Sequence, residues 1–298
     1  MSDYSNYSIN GSSVNSLNYT DDDAADIAAL LDRKGYDIFI RIDDGSQSYG
    51  EYDSSDIKKA TKEQFKDDIE YIRTTASDNA LVLIYFSSHG TSMYGTTNNE
   101  DPTSETEYNE WLIPFVDSPT DISSISDIET YWISDDDMAS KIRSLNNNKT
   151  VLTIDACFSG GFIGSSYDIS AVPEDYSETN NSIDGVFGKA FRSYFDDSDA
   201  DVTWKDAIVI TASGEKEESL EPGGGSSTVE NGFFTLGLLN AISNDENNDG
   251  YITTLEWYSG SKAFIENNIN SSEFISEAQQ YLPRISGGPV DYVLFEAD

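Results

Sequence analysis

The chain has 298 residues, 37% of them hydrophobic, enough to bury a substantial core, and its 55 acidic against 17 basic residues leave a formal net charge of −38. A surface that negative repels nucleic acid and anionic lipid, so neither is an expected partner, and it suits a basic substrate, calcium or a salt-rich setting. One Cys and one His can form neither an internal disulfide nor a zinc site, and no apolar run reaches the ~18 residues of a membrane span. The acidic residues are dispersed along the chain, as in the solvated surface of a halophilic protein.

In chain order, strands alternate with helices. A helix over roughly Asp22 to Lys34 stops at Gly35, and Tyr36 to Asp44 (YDIFIRIDD) reads as a short strand. ATKEQFKDDIEYIRTTA predicts a second helix: Thr61 and Gln64 make a capping box, and Phe65, Ile69 and Ile72 share one face. ALVLIYFSS at 80–88 is a continuous apolar run of the kind that a strand buried on both faces requires. A polar segment follows to about Tyr131, after which Ser134 and Asp137 cap a helix through Leu145. Thr150 to Ala156 (TVLTIDA) and Ala207 to Ala212 (AIVITA) are further buried strands, Phe233 to Ile242 is a helix, and Asp291 to Phe295 (DYVLF) is a closing edge strand. This alternation implies an α/β fold, a mostly parallel sheet flanked by helices on both faces. Ligands in such sheets bind beyond the carboxyl ends of the strands.

The sole His stands at the carboxyl end of one of those strands (LIYFSSHG), and the sole Cys at the carboxyl end of another (LTIDACFSGG). A thiol is only slightly ionised at neutral pH, so a nucleophilic Cys157 needs an imidazole such as His89 to take its proton. The attacked carbonyl develops negative charge, which needs fixed donors. Small residues flank both groups, Gly90 after the His and Ser159, Gly160 and Gly161 after the Cys. The N–H groups of Gly90 and Cys157 are the candidates for that oxyanion hole.

YFSSHG resembles the Y-F-S-G-H-G box of metacaspases and prokaryotic caspase-like peptidases, and DACFSGG resembles their D-A-C-H-S-G box. The His-then-Cys order is that of the wider caspase and legumain clan. NSLNYTDDDAADIAALLDRKGYDI is similar to the family's first helix and second strand, and ITASGEKEESLE with NGFFTLGLLNAI to its fifth strand and following helix. The resemblance implies a caspase-like three-layer sandwich, a single peptidase domain over 1–298, and a cysteine endopeptidase acting on polypeptides through His89 and Cys157. Ser88 replaces the usual Gly before the His, and Phe158 the commoner His after the Cys; neither change removes a catalytic atom.

Members of this family begin with an apolar strand that runs into an Asp-Tyr turn and lies centrally in the sheet. Here the chain opens at MSDY, so that strand is expected to be missing, or replaced by residues such as Tyr7 to Ile9. The polar start is no signal peptide, which favours the cytoplasm, whereas lost upstream sequence would leave room for an export signal. Asp155 matches the acidic position that lines the primary specificity pocket of metacaspase-like enzymes. A carboxylate there pairs with a basic P1 side chain, Arg above all by bidentate geometry. True caspases carry Gln at this place and cut after Asp. The plainer alternative is an Asp155 that only bonds nearby backbone.

DENNDGYITTLE at 245–256 matches an EF-hand-type calcium loop. Asp245, Asn247 and Asp249 take the first three side-chain ligand positions, Gly250 the sharp turn, Tyr251 a backbone carbonyl, Thr253 the next position and Glu256 the bidentate close. Calcium is therefore the expected cofactor; an ion-free Asn/Asp-rich turn is the plainer alternative. Lys189 and Arg192 are candidate self-cleavage points or ordinary exposed residues, and Gly223 to Gly225 form a flexible link with no phosphate-binding Lys after it. Two other functions fit the same boxes: an inactive caspase-like calcium-binding or regulatory module, and a transpeptidase or ligase. Fast alkylation of Cys157 separates an activated thiol from the first, and product analysis separates hydrolysis from the second.

Overall fold

The structure, a computed structural model, describes residues 3–94, 108–145, 149–157, 159–162, 207–213, 219–222, 230–271, 280–286 and 291–298. Lys189, Arg192 and Gly223 to Gly225 lie outside the described residues. The chain begins with two short strands, β1 (Tyr7–Ile9) and β2 (Ser12–Ser13), then helix α1 (Thr20–Arg33) and helix α2 (Lys62–Thr75). Strands β3 (Leu81–Ser87), β4 (Gly90–Tyr94), β5 (Tyr108–Leu112) and β6 (Thr120–Ile122) follow, then α3 (Ile125–Tyr131), β7 (Ile133–Ser134) and α4 (Asp135–Ser144). The remainder is β8 (Lys149–Asp155), β9 (Ala207–Thr211), α5 (Phe233–Asn240), β10 (Tyr251–Thr253), α6 (Thr254–Phe264), β11 (Arg284–Ser286) and β12 (Val293–Glu296).

The main sheet has the order β11-β9-β8-β3, with β3, β8 and β9 parallel and β11 antiparallel to β9. Side chains alternate along its strands, as the two-residue period demands. Val151, Ile208 and Ile210 face one core with Ile27 and Leu31 of α1, Phe234 and Leu238 of α5 and Trp257 of α6. Leu152, Ile154 and Val209 face another with Met138 and Ile142 of α4, against which Phe65 of α2 packs. Helices thus cover both faces, giving the three-layer α/β arrangement that alternation implied. Gln64 donates its N–H to Thr61 Oγ1 at 3.1 Å, but its side chain turns to Asp68 Oδ1 at 2.9 Å, so the expected capping box is only half formed; Asp137 donates its N–H to Ser134 Oγ at 3.0 Å and Gly35 follows α1 at φ +87°, both as read.

Four expectations are corrected. Tyr36 to Asp44 is no strand: its only bridge joins Arg41 to Lys58, outside any ladder. A groove of about 1210 Å³, lined by Ile38, Ile40, Leu83 and Tyr85 among others, lies between this stretch and β3. For the same reason β3 is the sheet's edge, and Leu81 and Leu83 to Phe86 are only half-buried, unlike β8, in which every residue after Lys149 is buried. DYVLF is not an edge strand of the main sheet. Val293–Glu296 pairs antiparallel with β10, while β11 takes the edge of β9. The segment after Gly90 carries β4, β5, β6 and α3 despite its polar composition, because Trp111, Ile113, Phe115, Val116 and Ile122 bury together with Tyr4 and Tyr7. Tyr7–Ile9 pairs parallel with β6, away from the main sheet. No helix among the described residues is long and apolar enough to cross a membrane.

Candidate active site

Register brings the two sequence-marked residues together. Ser87 of β3 pairs with Asp155 of β8, and Ser88 donates its N–H to the Asp155 carbonyl at 3.2 Å. His89 and Cys157 each stand two residues beyond that pair, at the same end of adjacent parallel strands, which run ~4.8 Å apart. Gly90 presses on the backbone of Cys157: a β-carbon there would lie 2.2 Å from the Cys157 carbonyl oxygen and 3.1 Å from the Ala156 β-carbon. Only glycine allows this approach, so the backbones of both oxyanion candidates, Gly90 and Cys157, are in contact.

His89 is held from three sides. Its backbone N–H donates to the Tyr4 hydroxyl at 2.7 Å, its carbonyl accepts from Ile113 N–H at 3.1 Å, and its ring lies 4.5 Å from that of Tyr4. Tyr4 is fully buried and donates its own O–H to the Ile113 carbonyl at 3.1 Å. The imidazole Nε2 stands 2.8 Å from the Asn15 carbonyl oxygen. A carbonyl can only accept, so Nε2 carries the proton and Nδ1 of a neutral ring keeps its lone pair. Burial lowers the His89 pKa, while the Asn15 bond and the Glu221 carboxylate raise it; burial prevails and favours the neutral imidazole. The Cys157 thiol donates to the Ser219 carbonyl at 3.5 Å.

Asp155 sits beneath this pair, 6% exposed. Its Oδ1 accepts from Ser219 Oγ at 2.7 Å, and its Oδ2 accepts from the Thr235 hydroxyl at 2.7 Å and the Thr235 N–H at 3.2 Å. Beside it stands a second buried carboxylate, Asp23 of α1, which accepts from Ser87 Oγ and from Gly232 N–H, each at 2.8 Å. A β-carbon on Gly232 would fall 2.9 Å from Asp155 Oδ2 and 3.1 Å from Asp23 Oδ2, so the two groups flank the same glycine. Burial raises both carboxyls, Asp155 adds to the rise at Asp23, and the hydroxyl and amide donors oppose it.

The sequence did not mark Tyr4, Asn15, Asp23 or Glu221. Asn15 acts through its backbone, so its side chain carries no signal; Asp23 is one of three consecutive aspartates in the first turn of α1, and spacing alone does not say which faces the sheet.

The 245–256 loop lies between α5 and the first turn of α6. Gly250 takes φ +88°, as the turn requires. Asp245 accepts the N–H groups of Asp249 and Gly250 at 3.1 and 2.8 Å, and Asn247 Oδ1 accepts that of Asp249 at 2.8 Å. Asp249 accepts from Tyr251 N–H at 2.9 Å, and Glu256 closes a capping box by accepting the Thr253 N–H at 3.0 Å. As the side chains stand, no three acidic, Cys or His groups among the described residues converge as a metal would require.

The family model for the caspase domain matches residues 3–259. Among solved structures, a protein from Geobacter sulfurreducens aligns at TM-score 0.50 and 15% identity, covering 95% of this chain and 92% of that one. Caspase-1 from Spodoptera frugiperda aligns at TM-score 0.48 and 12% identity, covering 96% and 84%. No curated protein matches the chain.

Proposed function

The chain belongs to the caspase-domain family, whose members are cysteine endopeptidases, and on that premise we propose that it hydrolyses peptide bonds after Arg or Lys through Cys157 and His89. The observation that carries the dyad is the shared register: both groups stand two residues past the paired Ser87 and Asp155. His89 Nδ1 takes the thiol proton, the sulfur attacks the scissile carbonyl, and the imidazolium returns the proton to the leaving amine. A water then attacks the thioester with His89 again as base, releasing the acid and restoring the thiol. The Asn15 carbonyl keeps Nε2 protonated throughout, which fixes the tautomer. The N–H groups of Gly90 and Cys157 serve the oxyanion.

Preference for a basic P1 side chain is supported by Asp23 and Asp155 together. A guanidinium entering between them replaces their mutual repulsion with two charge-assisted contacts. The test is release of a fluorophore from Arg, Lys, Asn and Asp P1 peptides by wild type and Cys157→Ala. Cleavage after Arg or Lys that vanishes in the variant is expected; turnover by Cys157→Ala, or equal cleavage of all four peptides, refutes the assignment.

We further propose calcium as the ligand of loop 245–256. The donor set suits a hard cation, with carboxylate or amide oxygens at Asp245, Asn247, Asp249 and Glu256, the Tyr251 carbonyl and Thr253. Binding requires these oxygens to turn inward from the backbone amides, and the ion would tie α5 to α6. At a hundredfold excess over Kd, binding adds about 2.7 kcal/mol of stability, so Tm rises by roughly 5 °C or more. Asp245→Ala should abolish that rise; identical melting in calcium and in chelator contradicts the assignment.

A further inference from the structure

The bond between Asn15 and His89 depends on a stretch of chain, 15–19, that lies outside regular structure until α1 begins. Ser16 Oγ accepts the Tyr4 N–H at 3.2 Å and Leu17 packs against the core around Tyr4 and Tyr7, but the largest set of bonds to Asn18 and Tyr19 comes from one side chain. Glu221 accepts the Asn18 N–H on both carboxylate oxygens at 3.1 Å, the Asn18 Nδ2 at 2.7 Å and the Tyr19 N–H at 3.3 Å. Tyr19 precedes α1, whose N-terminus has no side-chain cap of its own, so a carboxylate at that end is well placed against the helix dipole. Glu221 is itself anchored through its neighbours: Ser219 Oγ donates to Asp155 at 2.7 Å, and the Leu220 carbonyl accepts the Phe233 N–H at 3.1 Å.

These contacts close a ring around the dyad. It runs from the Cys157 thiol to the Ser219 carbonyl, two residues on to Glu221, across to Asn18 and Tyr19, back three residues to the Asn15 carbonyl, and so to His89. We infer that Glu221 is a positioning residue, which by clamping Asn18 and Tyr19 holds the Asn15 carbonyl against His89 Nε2 and so fixes the tautomer of the base. This rests on the reading of Cys157 and His89 as the catalytic dyad. The bonds of Glu221 run to Asn18 and Tyr19, and its carboxylate reaches His89 as a charge through space. Its positioning role is carried by the segment it holds, and a neutral acceptor in its place would hold that segment less firmly.

The only His in the chain gives an unambiguous ¹⁵N imidazole spectrum. In wild type, Nε2 should carry the proton and Nδ1 should show the shift of an unprotonated nitrogen. In Glu221→Ala the two nitrogens should move toward averaged shifts, with kcat down by about 10–100-fold, part of the ~10²–10⁴ a positioned base contributes, and KM little changed. Glu221→Gln keeps one acceptor oxygen and should fall between the two; it also serves if the alanine variant does not fold. A folded Glu221→Gln or Glu221→Ala with a fully retained Nε2 tautomer and unchanged kcat overturns the role of Glu221 and leaves the dyad standing. A wild type with the expected tautomer but no turnover on any peptide overturns the dyad instead, and with it the catalytic half of the inference.

Discussion

Asp155→Asn is expected to lower kcat/KM for Arg peptides by roughly 10²–10³-fold while leaving the alkylation of Cys157 by iodoacetamide within a few-fold of wild type. The first figure corresponds to about 3–4 kcal/mol, the usual cost of removing one partner of a desolvated charge pair. The second follows because Asn keeps an acceptor oxygen for the Ser219 hydroxyl, so the anchor of residues 219–221 survives, and His89 is held directly by Tyr4, Asn15 and Ile113. Asp23→Asn should lower the same constant, and the double variant should lose less than the two losses combined, because the groups serve one cation. Both carboxyls are raised by burial and the unbound pair retains proton more readily than free carboxyls, so an entering guanidinium displaces it. Binding of an Arg peptide should therefore strengthen as pH rises through the raised range of the pair. Steady-state kinetics with Arg and uncharged P1 peptides checks this, and an equal loss on both would refute a charge-specific role.

The other large effect is expected from Gly90→Ala. A β-carbon 2.2 Å from the Cys157 carbonyl oxygen is far inside contact distance, and the atom it meets is backbone. Either the Cys157 carbonyl moves, shifting the residue that bears the thiol, or the start of β4 does, and with it the Gly90 N–H. Overpacking of this kind costs about 1–3 kcal/mol, and a displacement of ~1 Å at reacting groups costs on the order of 10²-fold in rate. The variant should melt several degrees lower and lose at least ~10²-fold in kcat, whatever the P1 residue. That indifference distinguishes it from Asp155→Asn. A folded Gly90→Ala with wild-type kcat would mean that the backbone around Gly90 and Cys157 is not the oxyanion site.

His89 and Cys157 were legible because each is unique and each ends an apolar run, and two parallel strands in register turn equal offsets into proximity. Asp155 was legible as a group near Cys157 but not as half of a pair, since Asp23 comes from a helix 132 residues earlier and only packing sets its rotation. Asn15 contributes a carbonyl, which every residue possesses, so no side-chain pattern could have marked it. The failure of YDIFIRIDD as a strand has another cause. Its composition suits a strand, but a strand exists only with a partner in reach, and the groove beside β3 separates the two. DYVLF failed likewise in partner and not in type: it forms a strand, paired with β10. Its Leu294 and Phe295 bury against α6 and the first core, which fixes where the segment lies.

The carbonyl that meets His89 Nε2 comes from a stretch outside regular structure, next to a short ribbon. Asn15 follows a patch in which β1 contributes three residues and β2 two, joined to β6 by three register pairs. The sheet behind it runs seven residues in β3 and in β8, with two cores on its faces. Opening free energies follow local contact, so a short ribbon frays far below the cost of parting a buried parallel sheet. Warming should therefore loosen residues 3–19 while the sheet is still intact, and thermal inactivation becomes a separate, earlier and reversible event from thermal unfolding.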